Sequence, residues 1–282
     1  MRFINFDPHV PHDSRRWLDA FNEAGNGTSS PDMRSIKALR KLIFSQTLEA
    51  IWYFHNDLAE VSTRLLGPDL LSVHRDGTSS LSSVEVVNGD ILDEAEKMIG
   101  LGFSVAVLNM ACASRAGGGV WSGHGAQEEN LHRRSDLSRF LYEQQDLLYP
   151  IPRQHCLLSR GVTILRGSEQ EGYPFFERER RSFRVSVISC AAYRVRWDSD
   201  PDQVDMIMAE KVALIVAAAV QDGCEVLLLS AFGCGAYGNS PERVARLFRS
   251  ELMRHPFTKV VFCILDDHNS RGNFNAFQDV FH

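Results

Sequence analysis

Asn109-Met-Ala-Cys-Ala-Ser-Arg-Ala-Gly-Gly-Gly-Val-Trp-Ser-Gly-His-Gly-Ala-Gln-Glu-Glu-Asn-Leu131 decides how the whole chain is read. An apolar, valine-rich run over 103–108 precedes it and reads as a buried strand. The stretch then carries five glycines, Gly117, Gly118, Gly119, Gly123 and Gly125. Such a loop brings its backbone close to a ligand and adopts positive φ at little cost. Gln127-Glu128-Glu129 opens a segment in which Leu137, Phe140 and Leu141 fall at helical spacing. Both carboxylates therefore sit in a first helical turn, where the helix dipole favours negative charge. By itself the pattern also fits a solvated acidic helix start behind a flexible loop.

From residue 84 onward the chain alternates strand and helix. Strands are predicted over 84–87, 103–108, 162–165, 185–189, 225–230 and 259–265. Helices are predicted over 90–99, from Gln127, and over 201–221, 240–253 and 274–281. The helix over 240–253 has Asn239 or Ser240 as N-cap, Pro241 in its first turn and a stripe of Val244, Leu247, Phe248 and Leu252. Strands separated by helices imply a parallel or mixed sheet covered on both faces, with ligands at the strand C-terminal ends. Residues 167–182, with Glu177-Arg-Glu-Arg-Arg181, read as a solvated connection. Ahead of the alternation, 1–34 reads as a loose arm with one helix over 14–23, and 33–56 as a packed helix. Trp52-Tyr53-Phe54 at its end are expected in the core or at a domain seam. The predicted division is an arm and helical accessory region over 1–75 and one α/β domain over 76–282.

A second glycine loop, Ser230-Ala-Phe-Gly-Cys-Gly-Ala-Tyr-Gly-Asn239, lies between a strand and a capped helix. That arrangement aims several backbone N–H groups at one point and fits a phosphate or diphosphate. Its spacing matches G-x-G-x-x-G, but it comes late and lacks the following acid of a dinucleotide-binding fold. Tyr237 within it also suits a turn aromatic facing the core. Asp90, in Val86-Val-Asn-Gly-Asp-Ile-Leu92, is a good helix N-cap. The C-terminal segment 266–277 carries Phe274.

The glycine triplet, seven residues, and then Gln-Glu-Glu resemble the signature of the poly(ADP-ribose) glycohydrolases, in their compact bacterial and fungal type. The order of segments is similar too: Asp90, the triplet, the two glutamates, the late phosphate loop. The resemblance covers roughly 84–282 and extends weakly into the N-terminal helices. It implies a macrodomain-like three-layer α/β/α sandwich with a mixed central sheet and an N-terminal helical extension. It also implies hydrolysis of the ribose glycosidic bond of ADP-ribose, with no cofactor and no metal. By this resemblance Glu129 is the acid/base, Glu128 orients the ribose hydroxyls and Gln127 supports them, with Asn109, Gly117, Gly118 and Gly119 lining the ligand. Gly233, Cys234, Gly235, Ala236, Gly238 and Asn239 would hold the diphosphate, and Tyr237 would pack on the distal ribose. Asp90 would accept from the adenine amino group, in competition with capping, and Phe274 would stack on adenine. Trp121 and His124 depart from the family pattern. If both close over the distal ribose, cutting is exo and releases single ADP-ribose units. The alternatives are a mono-ADP-ribosyl-protein hydrolase and an ADP-ribose-binding module without catalysis; the paired glutamates argue against the latter.

Composition bounds the rest. A chain of 282 residues, 44% hydrophobic and 23% charged, buries a substantial core. A net charge of −6 supplies no basic field for nucleic acid or an anionic membrane. The partners implied are ADP-ribose and ADP-ribosylated proteins, with no membrane and no sequence-specific nucleic acid. Apolar runs such as 260–265 are too short to span a bilayer, and the first residues lack the apolar core of a signal peptide. Six cysteines are scattered without a C-x-x-C pair, as small hydrophobes in a reducing compartment. An intracellular, cytoplasmic protein is expected.

Overall fold

The computed structural model describes residues 12–26, 30–55, 58, 60–72, 83–176, 182–266 and 272–282. The expectations for 1–11, 76–82 and 177–181 fall outside them. Among the described residues seven strands form one sheet: β1 (Ser62–Leu66), β2 (Val84–Val87), β3 (Val105–Met110), β4 (Cys156–Ile164), β5 (Phe183–Cys190), β6 (Val226–Leu229) and β7 (Lys259–Cys263). Their order is β1-β4-β5-β3-β6-β7-β2. From β5 to β2 the neighbours are parallel, and β4 is antiparallel to both β1 and β5.

Burial on both faces explains the continuous apolar runs. Val105 and Val107 of β3 point into a core shared with α3 (Ile91–Gly100), α4 (Gln127–Arg134) and α5 (Leu137–Tyr142). Ala106 and Leu108 alternate to the other face, under α7 (Pro201–Asp222), α8 (Pro241–Leu252) and α9 (Asn273–Phe281). The result is a macrodomain-like three-layer sandwich. Local signals set its helix ends: Asp200 and Ser240 cap α7 and α8 with a proline behind each, and Gly223 at φ 79° ends α7.

The N-terminal helices α1 (Ser14–Gly25) and α2 (Met33–Tyr53) pack onto the functional side. Trp17 is buried edge-on to Tyr173 at 5.2 Å and donates from its indole N–H to the Leu39 carbonyl at 3.3 Å. Phe44 of α2 lies 4.9 Å from Trp121, and Thr47 donates to the Arg133 carbonyl at 2.7 Å. β1 also precedes residue 76, so elements from both sides of the expected division pack together.

Two expectations need correction. Trp52 and Tyr53 are exposed (79% and 52%), and so is Phe54. The buried stripe of α2 runs through Ile43, Thr47, Ala50 and Ile51, and successive residues turn by about 100°, which carries Trp52 and Tyr53 off it. The connection over 167–176 is not solvated. Tyr173 is fully buried with positive φ (56°), and its hydroxyl donates to Glu169 (2.8 Å) while accepting from Arg133 (2.8 Å).

Candidate active site

β3 and β6 are parallel neighbours, so both glycine loops leave the sheet at one end. The first loop turns back over the start of α4. Gln127 fixes that start: its Oε1 accepts from Met110 N–H (2.9 Å) and its Nε2 donates to the Leu108 carbonyl (2.7 Å). The amide thus continues the hydrogen-bonding row of β3, a supporting role. Gln127 also borders the cleft.

Glu128 and Glu129 are both buried. Glu128 Oε2 accepts from Cys112 N–H, and Glu129 Oε1 from Gly119 N–H, each at 2.8 Å. The second oxygen of each has no protein partner. A Cβ on Gly118 would stand 2.7 Å from Glu128 Oε2 and 2.8 Å from Glu129 Oε1, so the two acids converge on a residue that must be glycine. Gly117 and Gly118 both have positive φ (69° and 52°). Burial, with Glu129 adding to it, pushes the Glu128 carboxyl up to about 8. Beneath the pair, fully buried Asn109 donates to Ser189 Oγ at 2.9 Å and keeps its Oδ1 unpartnered. Sequence reasoning missed Tyr142 and Tyr149. Both hydroxyls are buried without a partner, and both are made less acidic by burial and by Glu128. No local spacing announces them.

Across the cleft the second loop has positive φ at Gly233 (76°) and Gly238 (73°), not at Gly235. A Cβ on Gly235 would meet nothing within 4 Å, because it opens onto the cleft with Ala236. Cys234 points its thiol into the protein, toward the Phe232 carbonyl. Asn239 ties the loop down, donating to the carbonyls of Tyr193 (2.8 Å) and Gly233 (3.0 Å). The Tyr237 hydroxyl is held above its usual range by burial and then by Cys112 and Glu128.

A cleft of about 530 Å³ runs away from this end. Asp90 borders it while capping α3, through bonds from Leu92 N–H (2.8 Å) and Asp93 N–H (3.2 Å). The same carboxylate pairs with buried Arg134 at 2.6 Å and accepts from Asn130 at 3.2 Å. Capping and ion pairing both fall on Oδ1, and the Asn130 amide engages Oδ2. Phe274 is half-buried against the core beneath α9, and its neighbour Asn273 borders the cleft. Lys37 and Arg40 of α2, also unforeseen, close the far side. Trp121 and His124 separate: His124 borders the cleft, whereas Trp121 packs on Phe44 and 6.4 Å from Tyr142. Among the described residues no cluster of His, Cys, Asp and Glu could hold a metal ion, and no helix is long and apolar enough to cross a membrane.

The catalytic-domain model of microbial-type poly(ADP-ribose) glycohydrolase matches residues 45–166, from α2 through the first loop to the end of β4. Compared by sequence with curated proteins, the chain matches none. The structure of poly(ADP-ribose) glycohydrolase from Thermomonospora curvata superposes with a TM-score of 0.71 at 26% identity, over 86% of this chain and 99% of that one. The same enzyme bound to the inhibitor ADP-HPD gives 0.70 at 27%. The enzyme from Deinococcus radiodurans in complex with ADP-ribose gives 0.67 at 28%, over 78% and 94%. In the signature of its first glycine loop and in its fold, the chain is similar to the microbial-type poly(ADP-ribose) glycohydrolases.

Proposed function

We propose that the protein hydrolyses the ribose glycosidic bond of poly(ADP-ribose), releasing ADP-ribose, with Glu129 as acid/base and Glu128 orienting the ribose. The observation that carries this is the pair of buried glutamates, each with one oxygen held by a backbone N–H and one left without a protein partner. Cleavage at an anomeric carbon passes through an oxocarbenium-like state and needs a proton on the leaving oxygen. Two adjacent acids out of water retain one proton near neutral pH, ready for that transfer. Once the leaving oxygen has departed with it, the deprotonated carboxylate takes a proton from the attacking water. The N–H groups around Gly235 receive the diphosphate, and the cleft bordered by Asp90 receives the adenosine.

Only His124 of the two bulky loop residues borders the cleft, so exo cutting rests on it and on Met33, Lys37 and Arg40 of α2, which close the cleft's end. ADP-ribosylated proteins are the partners this implies. Six free cysteines accord with an intracellular setting. Incubation with an automodified ADP-ribose polymerase tests the reading: free ADP-ribose is expected from the first time points. Early release of long oligomers overturns exo cutting. Rapid release from a mono-modified side chain, with polymer untouched, makes the protein a mono-ADP-ribosyl hydrolase instead.

A further inference from the structure

Residues 191–200 leave β5 and run beside the second glycine loop before α7 begins. Two hydrogen bonds moor them there: Val195 N–H donates to the Tyr237 carbonyl (2.9 Å), and Asn239 donates to the Tyr193 carbonyl (2.8 Å). Past the mooring the strap closes a turn. Ser199 N–H donates to the Arg196 carbonyl (3.1 Å), and Arg196 N–H donates to Ser199 Oγ (2.8 Å). That turn holds the Trp197 ring out of the protein, 99% exposed. A single exposed apolar residue needs no explanation. This one is flanked by two arginines that form no ion pair among the described residues. Beside it opens a cavity of about 400 Å³ lined by Tyr193, Arg194, Arg196, Asp198, Ser199 and Gln203. The Arg194 guanidinium also stands 5.9 Å from the Tyr237 ring, in the second glycine loop.

We propose that this strap is a second nucleotide subsite, for the ADP-ribose unit on the leaving-group side of the bond that is cut. The inference rests on the glycohydrolase reading above. In a polymer the leaving oxygen belongs to the ribose of an adenosine, so a purine and a diphosphate follow closely. An indole face takes a purine by stacking, and guanidinium groups take phosphate oxygens with charge-assisted hydrogen bonds. The acidic chain offers no general attraction for a polyanion, so these local cations must supply it. Asp198, on the same turn, repels phosphate from its own side and offers an acceptor for a ribose hydroxyl. The strap's backbone is tied directly to the loop proposed to hold the terminal diphosphate, which fixes the two units relative to each other.

Calorimetry in a Glu129→Gln background tests this with ADP-ribose and with a two-unit oligomer. The oligomer should bind roughly 10-fold tighter than ADP-ribose, the size of one base stacked on an aromatic ring. Trp197→Ala, and separately the double variant Arg194→Ala/Arg196→Ala, should remove that gain while leaving ADP-ribose affinity and melting temperature unchanged. In the active enzyme, KM for polymer should rise roughly 10-fold at constant kcat. Release from a mono-ADP-ribosylated serine peptide should stay the same. An oligomer bound no tighter than ADP-ribose, or variants that weaken both ligands equally, overturns the subsite alone. Failure to bind ADP-ribose at all overturns the glycohydrolase reading and the subsite with it.

Discussion

The two glycine loops leave neighbouring strands and face one cleft, yet Gly118 of the first and Gly235 of the second answer to opposite demands. In the first loop an added methyl group would collide with the protein: at Gly117 with the Tyr142 hydroxyl (2.6 Å), at Gly118 with both acids, at Gly123 with the Lys37 backbone. In the second, the same group on Gly235 would meet open space. Crowding marks the place where the chain wraps the paired acids. Vacancy marks the place where backbone lies open to the cleft. A glycine-rich motif in a sequence does not distinguish the two.

The largest effect that sharpens this contrast is expected at the crowded loop. Glu129→Gln keeps the size and the bond from Gly119 but removes the transferable proton. Its single-turnover rate should fall about 10²–10⁴-fold, with ADP-ribose affinity within a few-fold of wild type. Glu128→Gln should then show the smaller loss. A larger loss at Glu128, onto which burial drives a proton, would exchange the two roles.

Next come the glycines themselves. Gly235→Val should weaken ADP-ribose binding by at least about 10²-fold, because a branched side chain fills the approach to the amides, with the melting temperature unmoved. Gly118→Ala should do the reverse in stability, costing about 1–3 kcal/mol through its positive φ and the displaced carboxylates. Calorimetry and thermal melts on both variants decide it. A stable Gly118→Ala protein with full turnover would break the contrast.

The smallest effect is a slope. Glu128 has its folded-state pKa raised from 4.5 to about 8, so between those values the folded chain holds more protons than the unfolded one. Stability should therefore fall as pH rises from about 4.5 to about 8. Glu128→Gln should flatten that fall by roughly 2–4 °C or more in melting temperature. Parallel curves for the two proteins would remove Glu128 from the titration.

Much of this was legible in the chain because period and punctuation are local. Val84–Val87 and the start of α7 at Pro201 stand where the alternation and the caps put them. β1 was not foreseen, since Ser-Thr-Arg-Leu-Leu has no clean alternation and becomes a strand only by pairing with β4. The paired acids and both glycine loops were visible as motifs. Tyr142, Tyr149, Lys37 and Arg40 were not, because they reach the site from separate elements that only tertiary packing brings there. Trp121 and His124 looked like one feature in sequence. A turn at Gly123 (φ 73°) sends them to different surfaces.

Helix α4 leaves the chain little room to drift. Six of its eight residues are buried, and five of those are Glu128, Glu129, His132, Arg133 and Arg134. Each ionisable group lies beside something fitted to it: the Gly119 amide, the Tyr173 hydroxyl, the Asp90 carboxylate. Removing one partner of a buried ion pair costs about 3–5 kcal/mol, and a whole domain holds about 5–15 kcal/mol. Replacing Arg134, which pairs with Asp90 and Asp93, would alone consume a large part of that margin. Tolerance of substitution in this chain is therefore expected elsewhere, on the outward faces of the helices and in the loops away from the cleft.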